Sequence, residues 1–371
     1  MYLLRLLSLV LFLFWLTACT GTQTPPSTPT PLPTATAVPP TSTPTATPLP
    51  YEALPGAYLG TFYGQPVPSV GLYDEIGKAV AISASYIDFR TPFVAGTAAS
   101  LARAGRIAFI TWEYKGTPDP AYAERPLDLI LEGEYDDHLQ QWGERLAAFE
   151  KPIFLRWGHE MNGNWYPWAG ANNGGGTLAG FGDAALPDGP ERYVAAYRYI
   201  HDAISAAGAD NVLWVWCPNA PFANMAGSYG STAGGWNEAV NYYPGDDYVD
   251  WLCFDGYNWG TSSYGQTFDS TWTSFDEIFG SSYAELQAIN PGKPIIIGEY
   301  ASTEDGGDKA AWIIDAYETM QADYPQIRGV IWFHISKETD WRIDSSPESL
   351  AAFKTAVADD YWLDEWPGMT E

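Results

Sequence analysis

Apolar residues between positions 51 and 371 follow two alternating patterns. Short, near-continuous apolar runs such as Ile295-Ile296-Ile297 read as parallel strands covered on both faces. Eight such segments are predicted as strands: Ala57–Phe62, Ala84–Phe89, Ile107–Glu113, Pro152–Glu160, Asn211–Asn219, Val249–Asn258, Pro294–Ala301 and Gly329–Ile335. Between them, apolar positions recur at helical spacing. Leu139, Trp142, Leu146 and Phe149 form one such series; Tyr193, Tyr197, Ile200 and Ile204 form another; Ile313, Ala316, Tyr317 and Met320 share one face. Gly208, just past the second series, suits a helix C-cap. Eight strand–helix units in about 320 residues predict the α/β class and a single (β/α)8 barrel. An open doubly wound sheet is disfavoured, because no Gly-rich phosphate loop follows a strand.

The first 50 residues break this rhythm. In residues 1–18 Arg5 is the only charge, Leu6–Leu16 is almost wholly apolar, and small residues follow. That run is too short for an ordinary membrane-spanning helix and reads as an export signal. It ends Leu16-Thr17-Ala18-Cys19, which resembles a bacterial lipobox and implies cleavage before Cys19 and a lipid on its sulfur. Residues 20–50 hold 11 Thr and 10 Pro with no charge. Such a segment cannot bury a core, and its prolines keep it extended. The expected organisation is therefore a signal at 1–18, a disordered Thr/Pro linker at 19–50 and one barrel domain at 51–371. It describes a protein exported and held at the cell surface through Cys19, or secreted.

Charge narrows the partners. The chain carries 18 Lys and Arg against 45 Asp and Glu, a net charge of −27. No basic face is available to release counterions from nucleic acid, and anionic membranes are not attracted by charge. Membrane contact is expected only through Cys19, and a monomer is expected. Three cysteines are too few for a disulfide framework.

The aromatic content, 57 of 371 residues with 17 Trp, becomes informative once located. In a parallel barrel the functional groups lie at the C-terminal ends of the strands. There the chain reads Thr111-Trp112-Glu113-Tyr114, then Arg156 through Trp168, Trp214 through Asn219, Asp255 through Trp259, Gly298-Glu299-Tyr300 and Trp332-Phe333-His334. Rings that stack on the C–H faces of pyranoses, mixed with amides that bond hydroxyls, suit a sugar ligand. Glu160 and Glu299 each end an apolar strand, where an ion is costly without a purpose. They lie on strands 4 and 7 and would face each other across the mouth. Paired carboxylates across a groove are the equipment for glycosidic cleavage.

The stretch Arg156–Trp168, with His159-Glu160-Met161-Asn162-Gly163 and Trp165, resembles the acid/base signature of glycoside hydrolase family 26, and Pro294–Ala301 resembles its nucleophile strand. This family comprises β-mannanases with some β-glucan and β-1,3-xylan hydrolases. The resemblance implies a retaining endo-β-glycanase, with mannan as the expected substrate and no cofactor or metal. Glu299 would be the nucleophile and Glu160 the acid/base. Tyr257 would donate to Glu299 and position it. The loops around Gly174–Gly176 and Tyr229–Asn241 depart from familiar mannanases, so β-1,3-1,4-glucan, cellulose and β-1,3-xylan stay open.

Other residues receive narrower expectations. His159 is read as a hydrogen-bonding group near the substrate or nucleophile, and Arg156 as a brace for Glu160. Trp112, Trp165, Trp216, Trp259 and Trp332 are candidate sugar platforms, and Asn162 and Asn219 candidate hydroxyl partners. Lys337, Asp340, Trp341 and Arg342 could form a lip after strand 8. Glu304-Asp305-Gly306-Gly307-Asp308 lacks the alternating ligand pattern of a calcium loop and reads as a solvated turn opening a helix. Cys217 and Cys253, on neighbouring parallel strands, are expected as buried thiols. A non-catalytic oligosaccharide-binding lipoprotein is the competing function, but such a protein has no reason to keep two opposed glutamates.

Overall fold

The computed structural model describes residues 54–64, 70–113, 125–220 and 235–370, with the side chains of 70–72 excluded. The signal, Cys19, the linker, Tyr114 and positions 229–234 of the Tyr229–Asn241 loop lie outside the described residues.

Eight parallel strands form the barrel: β1 (Ala57–Phe62), β2 (Ile82–Asp88), β3 (Ile107–Glu113), β4 (Ile153–Trp157), β5 (Val212–Trp216), β6 (Trp251–Asn258), β7 (Ile295–Ser302) and β8 (Ile327–Phe333). Each pairs with the next, and β1 pairs with both β2 and β8, so the sheet closes. Closure rules out the open doubly wound alternative. A two-residue strand, Trp362–Leu363, adds to the start of β1.

The helices lie where the apolar periodicity put them. Leu139, Trp142 and Leu146 are buried in the helix Asp136–Ala147, and Phe149 lies just beyond its end. The second series is buried in Asp188–Ala206, and Gly208 follows with φ 93°. The third is buried in Lys309–Asp323, capped by the Asp308 side chain.

Strand parity sorts side chains into two compartments. Tyr58, Ile82, Ile107, Phe109, Phe154, Val215, Cys217, Trp251, Cys253, Ile296 and Ile331 point inward and form one buried cluster. Their chain neighbours point outward and pack on the helices: Trp112 lies 4.1 Å from Trp142, ring to ring, and Trp157 lies 5.6 Å from Tyr193. This is the two-residue period of a strand applied to a sheet buried on both faces. The chain's last segment seals the end opposite the mouth. Met369 is buried in the inner cluster, the Trp366 ring lies 4.4 Å from Tyr58 and 5.0 Å from Phe154, and the Trp366 main-chain N–H donates to Gly105 O at 2.7 Å.

Two expectations need correction. β4 ends at Trp157 rather than Glu160, because Gly158 (φ 61°) and Glu160 (φ 54°) leave the extended region. Cys217 and Cys253 form a disulfide, with Cα atoms 4.3 Å apart. The register pairs Trp216 with Leu252, so the following Cys pair stands side by side with both side chains inside the barrel.

Candidate active site

Above the disulfide, the barrel interior changes from apolar to charged. Arg156 continues the inward parity of Phe154 on β4. It is 1% exposed, and its guanidinium donates to Glu299 Oε1 at 2.5 Å, to Asp255 Oδ2 at 2.6 Å and to Thr111 Oγ1 at 2.7 Å. Arg156 therefore braces Glu299, not Glu160. A buried guanidinium needs acceptors for its fixed fork of donors, and the side chains of β3, β6 and β7 supply them.

Glu299 reaches the mouth through an irregularity in β7. The pairing with β6 skips Gly298, so Ile296, Gly298 and Glu299 all face inward, and Asp255 stands opposite Glu299. A Cβ at Gly298 would lie 2.7 Å from Arg156 Nη1, Asp255 Oδ1 and Cys253 Sγ. Glycine is required there for the ion network to close under the glutamate. Tyr86 from β2 donates to Glu299 Oε1, and Tyr257 from β6 donates to Oε2 at 2.5 Å.

Glu160 sits in the left-handed region at φ 54°, a conformation costly for a side-chain-bearing residue and concentrated at functional sites. Its N–H donates to Cys217 O at 2.7 Å, which ties the turn to β5. Trp165 Nε1 donates to its Oε2 at 2.8 Å. Burial, followed by the negative charge of Glu299, pushes the Glu160 carboxyl up to about 8, and the Trp165 bond partly opposes this.

Both glutamates line one cavity of about 530 Å³. Of the residues singled out from the sequence, Trp165, Asn219, Tyr257, Trp259, Lys337 and Trp341 line it with them. Trp112, Trp216 and Trp332 do not. Each is fully buried in the cluster between sheet and helices, with outward strand parity. Asn162 bonds the Asn219 main chain in both directions at 2.8 Å, bracing that segment. His159 is fully buried, 3.0 Å from Tyr166 Oη and 3.9 Å from Glu299 Oε1. Burial and then the Arg156 charge hold its pKa well below the usual range, so it is neutral. Asp340 and Arg342 pair with each other at 2.6 Å. Glu304 is half-buried and accepts from Ser345 Oγ and Ser349 Oγ at 2.6 and 2.8 Å, while 305–308 are exposed and Asp308 caps the following helix.

Sequence reasoning missed Tyr86 and Phe62, and did not single out Glu113, Asp255 or Phe333 from the strand ends it read. Inward parity on β1, β2, β3, β6 and β8 is the signal that could have found them. Donor atoms of His159, Asp255 and Glu299 lie within 4.8 Å of one another, but the Arg156 guanidinium already bonds both carboxylates and a cation would have to displace it.

A closed parallel barrel with two interacting glutamates among aromatic rings at its mouth is the architecture of a (β/α)8 glycoside hydrolase. Residues 129–291 match the family Glycosyl hydrolase family 26. The matched stretch includes Glu160 and stops short of Glu299. Among curated relatives, Endoglucanase H of Acetivibrio thermocellus is 39% identical over 306 residues, covering 81% of this chain and 30% of that protein. The mannan endo-1,4-beta-mannosidase of Bacillus subtilis is 28% identical over 149 residues, covering 39% of this chain and 33% of that protein. The chain thus spans about a third of the length of these two relatives. Among solved structures, the Bacillus subtilis mannanase BCman superposes with a TM-score of 0.55 at 20% identity, over 87% of this chain and 91% of that one, a likeness of fold.

Proposed function

We propose that this protein is a retaining endo-β-glycanase acting on a β-1,4-linked polysaccharide, with Glu299 as nucleophile and Glu160 as acid/base. The observation that carries the reading is the shared cavity in which Glu160 is pushed up to about 8 beside Glu299, while Glu299 accepts from Arg156, Tyr86 and Tyr257. A glutamic acid protonated at neutral pH beside a carboxylate held by donors supplies an acid and a nucleophile from one residue type.

In the first step Glu299 attacks the anomeric carbon. The glycosidic C–O bond breaks and the Glu160 proton moves to the leaving oxygen. Esterifying Glu299 removes the neighbouring negative charge, so Glu160 now releases a proton more readily and can serve as base. Water then attacks the anomeric carbon, gives its proton to Glu160, and frees Glu299. Arg156 and the two tyrosines hold the nucleophile in place throughout.

For the sugar, two readings have support. The likeness to an endoglucanase over four-fifths of the chain favours β-glucan. The shorter likeness to a mannan endo-1,4-beta-mannosidase supports the expected mannan. We place β-glucan first. Incubating the barrel domain with mixed-linkage glucan, carboxymethylcellulose, mannan and β-1,3-xylan, and identifying the products, tests this; mannan cleavage without glucan cleavage reverses the order. Attachment to a membrane through a lipid on Cys19 is proposed on the lipobox resemblance alone. A Cys19→Ala protein should leave the membrane fraction, and its retention there would sink the idea.

A further inference from the structure

Among the described residues two aromatic side chains are substantially exposed, Trp165 at 37% and Tyr264 at 49%, and both line the cavity that holds Glu160 and Glu299. Every other described Trp, Tyr and Phe is buried or half-buried. An exposed ring forgoes the transfer free energy that its burial would bring. Trp165 is tied to Glu160 through its N–H. Tyr264 rests instead on other rings, 5.2 Å from Trp259 and 6.0 Å from Phe268.

The ring is also held in place. It opens the tight turn Gly265–Phe268, in which the Gly265 N–H donates to Ser262 Oγ at 3.1 Å and the Ser270 N–H to Gly265 O at 3.0 Å. A rigid aromatic face loses little entropy when a ligand lies on it. Its distance from the reacting centre is informative. Tyr257, which bonds Glu299, is separated from Tyr264 by two ring-to-ring steps through Trp259, of 5.8 and 5.2 Å. Tyr264 is thus reached from Glu299 through two intervening rings, Tyr257 and Trp259.

We propose that Tyr264 is the platform of a second sugar subsite, taking a pyranose unit further along the chain from the one held at Glu299. This rests on the glycanase reading above. Its test is the chain-length dependence of turnover on β-linked oligosaccharides of the hydrolysed polysaccharide, from two to six units. Tyr264→Ala should lower the ratio of kcat/KM on the longest to that on the shortest by about tenfold, equivalent to about 1.4 kcal/mol, and Tyr264→Trp should keep the ratio. An equal loss at every length would mean a structural role, and an unchanged ratio would mean no role; either overturns the inference. A wild-type protein that cleaves none of the polysaccharides or oligosaccharides would remove the glycanase reading itself, and this outcome is distinct because no length profile then exists.

Discussion

Glu160 and Glu299 are the same side chain, almost equally buried at 8% and 6% exposure, yet their surroundings are opposite. Glu299 stands at a strand irregularity over a guanidinium, with a phenol on each oxygen. An ionised carboxylate only accepts hydrogen bonds, and Glu299 is given three donors. Glu160 stands on a left-handed turn with the Trp165 N–H at its carboxylate and the charge of Glu299 nearby. The contrast shows that burial alone does not assign a role. The count and charge of the neighbours do.

The sharpest way to break the comparison is to remove each glutamate. Glu299→Ala should abolish turnover by about 10⁴-fold or more, because removing one member of a catalytic unit costs nearly what removing all of it costs. Glu160→Ala should lose about 10²- to 10⁴-fold on polysaccharide. On aryl glycosides whose leaving group needs no proton, the first step should lose far less. Equal loss on both substrate types would show that Glu160 is not the acid.

A smaller effect sharpens the electrostatic side. The Trp165 hydrogen bond holds Glu160 below the value that burial and Glu299 alone would set. Trp165→Phe should therefore move the alkaline limb of the kcat/KM profile to higher pH by about half to one unit. A shift to lower pH, or none, would mean that Glu160 does not set that limb.

The smallest effect is on stability, and its sign follows from linkage. The folded-state value of about 8 for Glu160 lies above its ordinary 4.5. The folded protein keeps a proton that the unfolded chain has released, so this contribution is complete below 4.5 and is lost as pH rises to about 8. Glu160→Gln cannot ionise. Its Tm should match the wild type near pH 4.5 and exceed it by a few degrees near pH 9, as read by thermal scans.

The eight strands were readable because parallel strands covered on both faces leave unbroken apolar runs, and Glu160 and Glu299 stood out as charges ending such runs. Which strand-end ring faces the cavity was harder to read. Trp112 and Glu113, or Trp332 and Phe333, are adjacent in sequence and point into different compartments. Choosing between them requires the parity of the whole strand, and the skipped Gly298 shows that parity can shift within one. The partner of Arg156 was misassigned for a related reason. Glu160 is four residues away in the chain, but the turn at Gly158 carries it off, while closure of the barrel brings Glu299 and Asp255 onto the guanidinium. The disulfide follows from the same register, which no spacing rule contains.

The closure of the barrel also sets an order of assembly. β1 is made first among the strands and acquires its second neighbour only when β8 is complete, and the floor beneath it is sealed later still, by Trp366 and Met369. Contacts between segments far apart in the chain meet the largest loop-closure cost. Until they form, β1 offers an open strand edge, and a nascent chain stalled before β7 would hold the mouth residues of β3 to β6 without Glu299 and the network built on it.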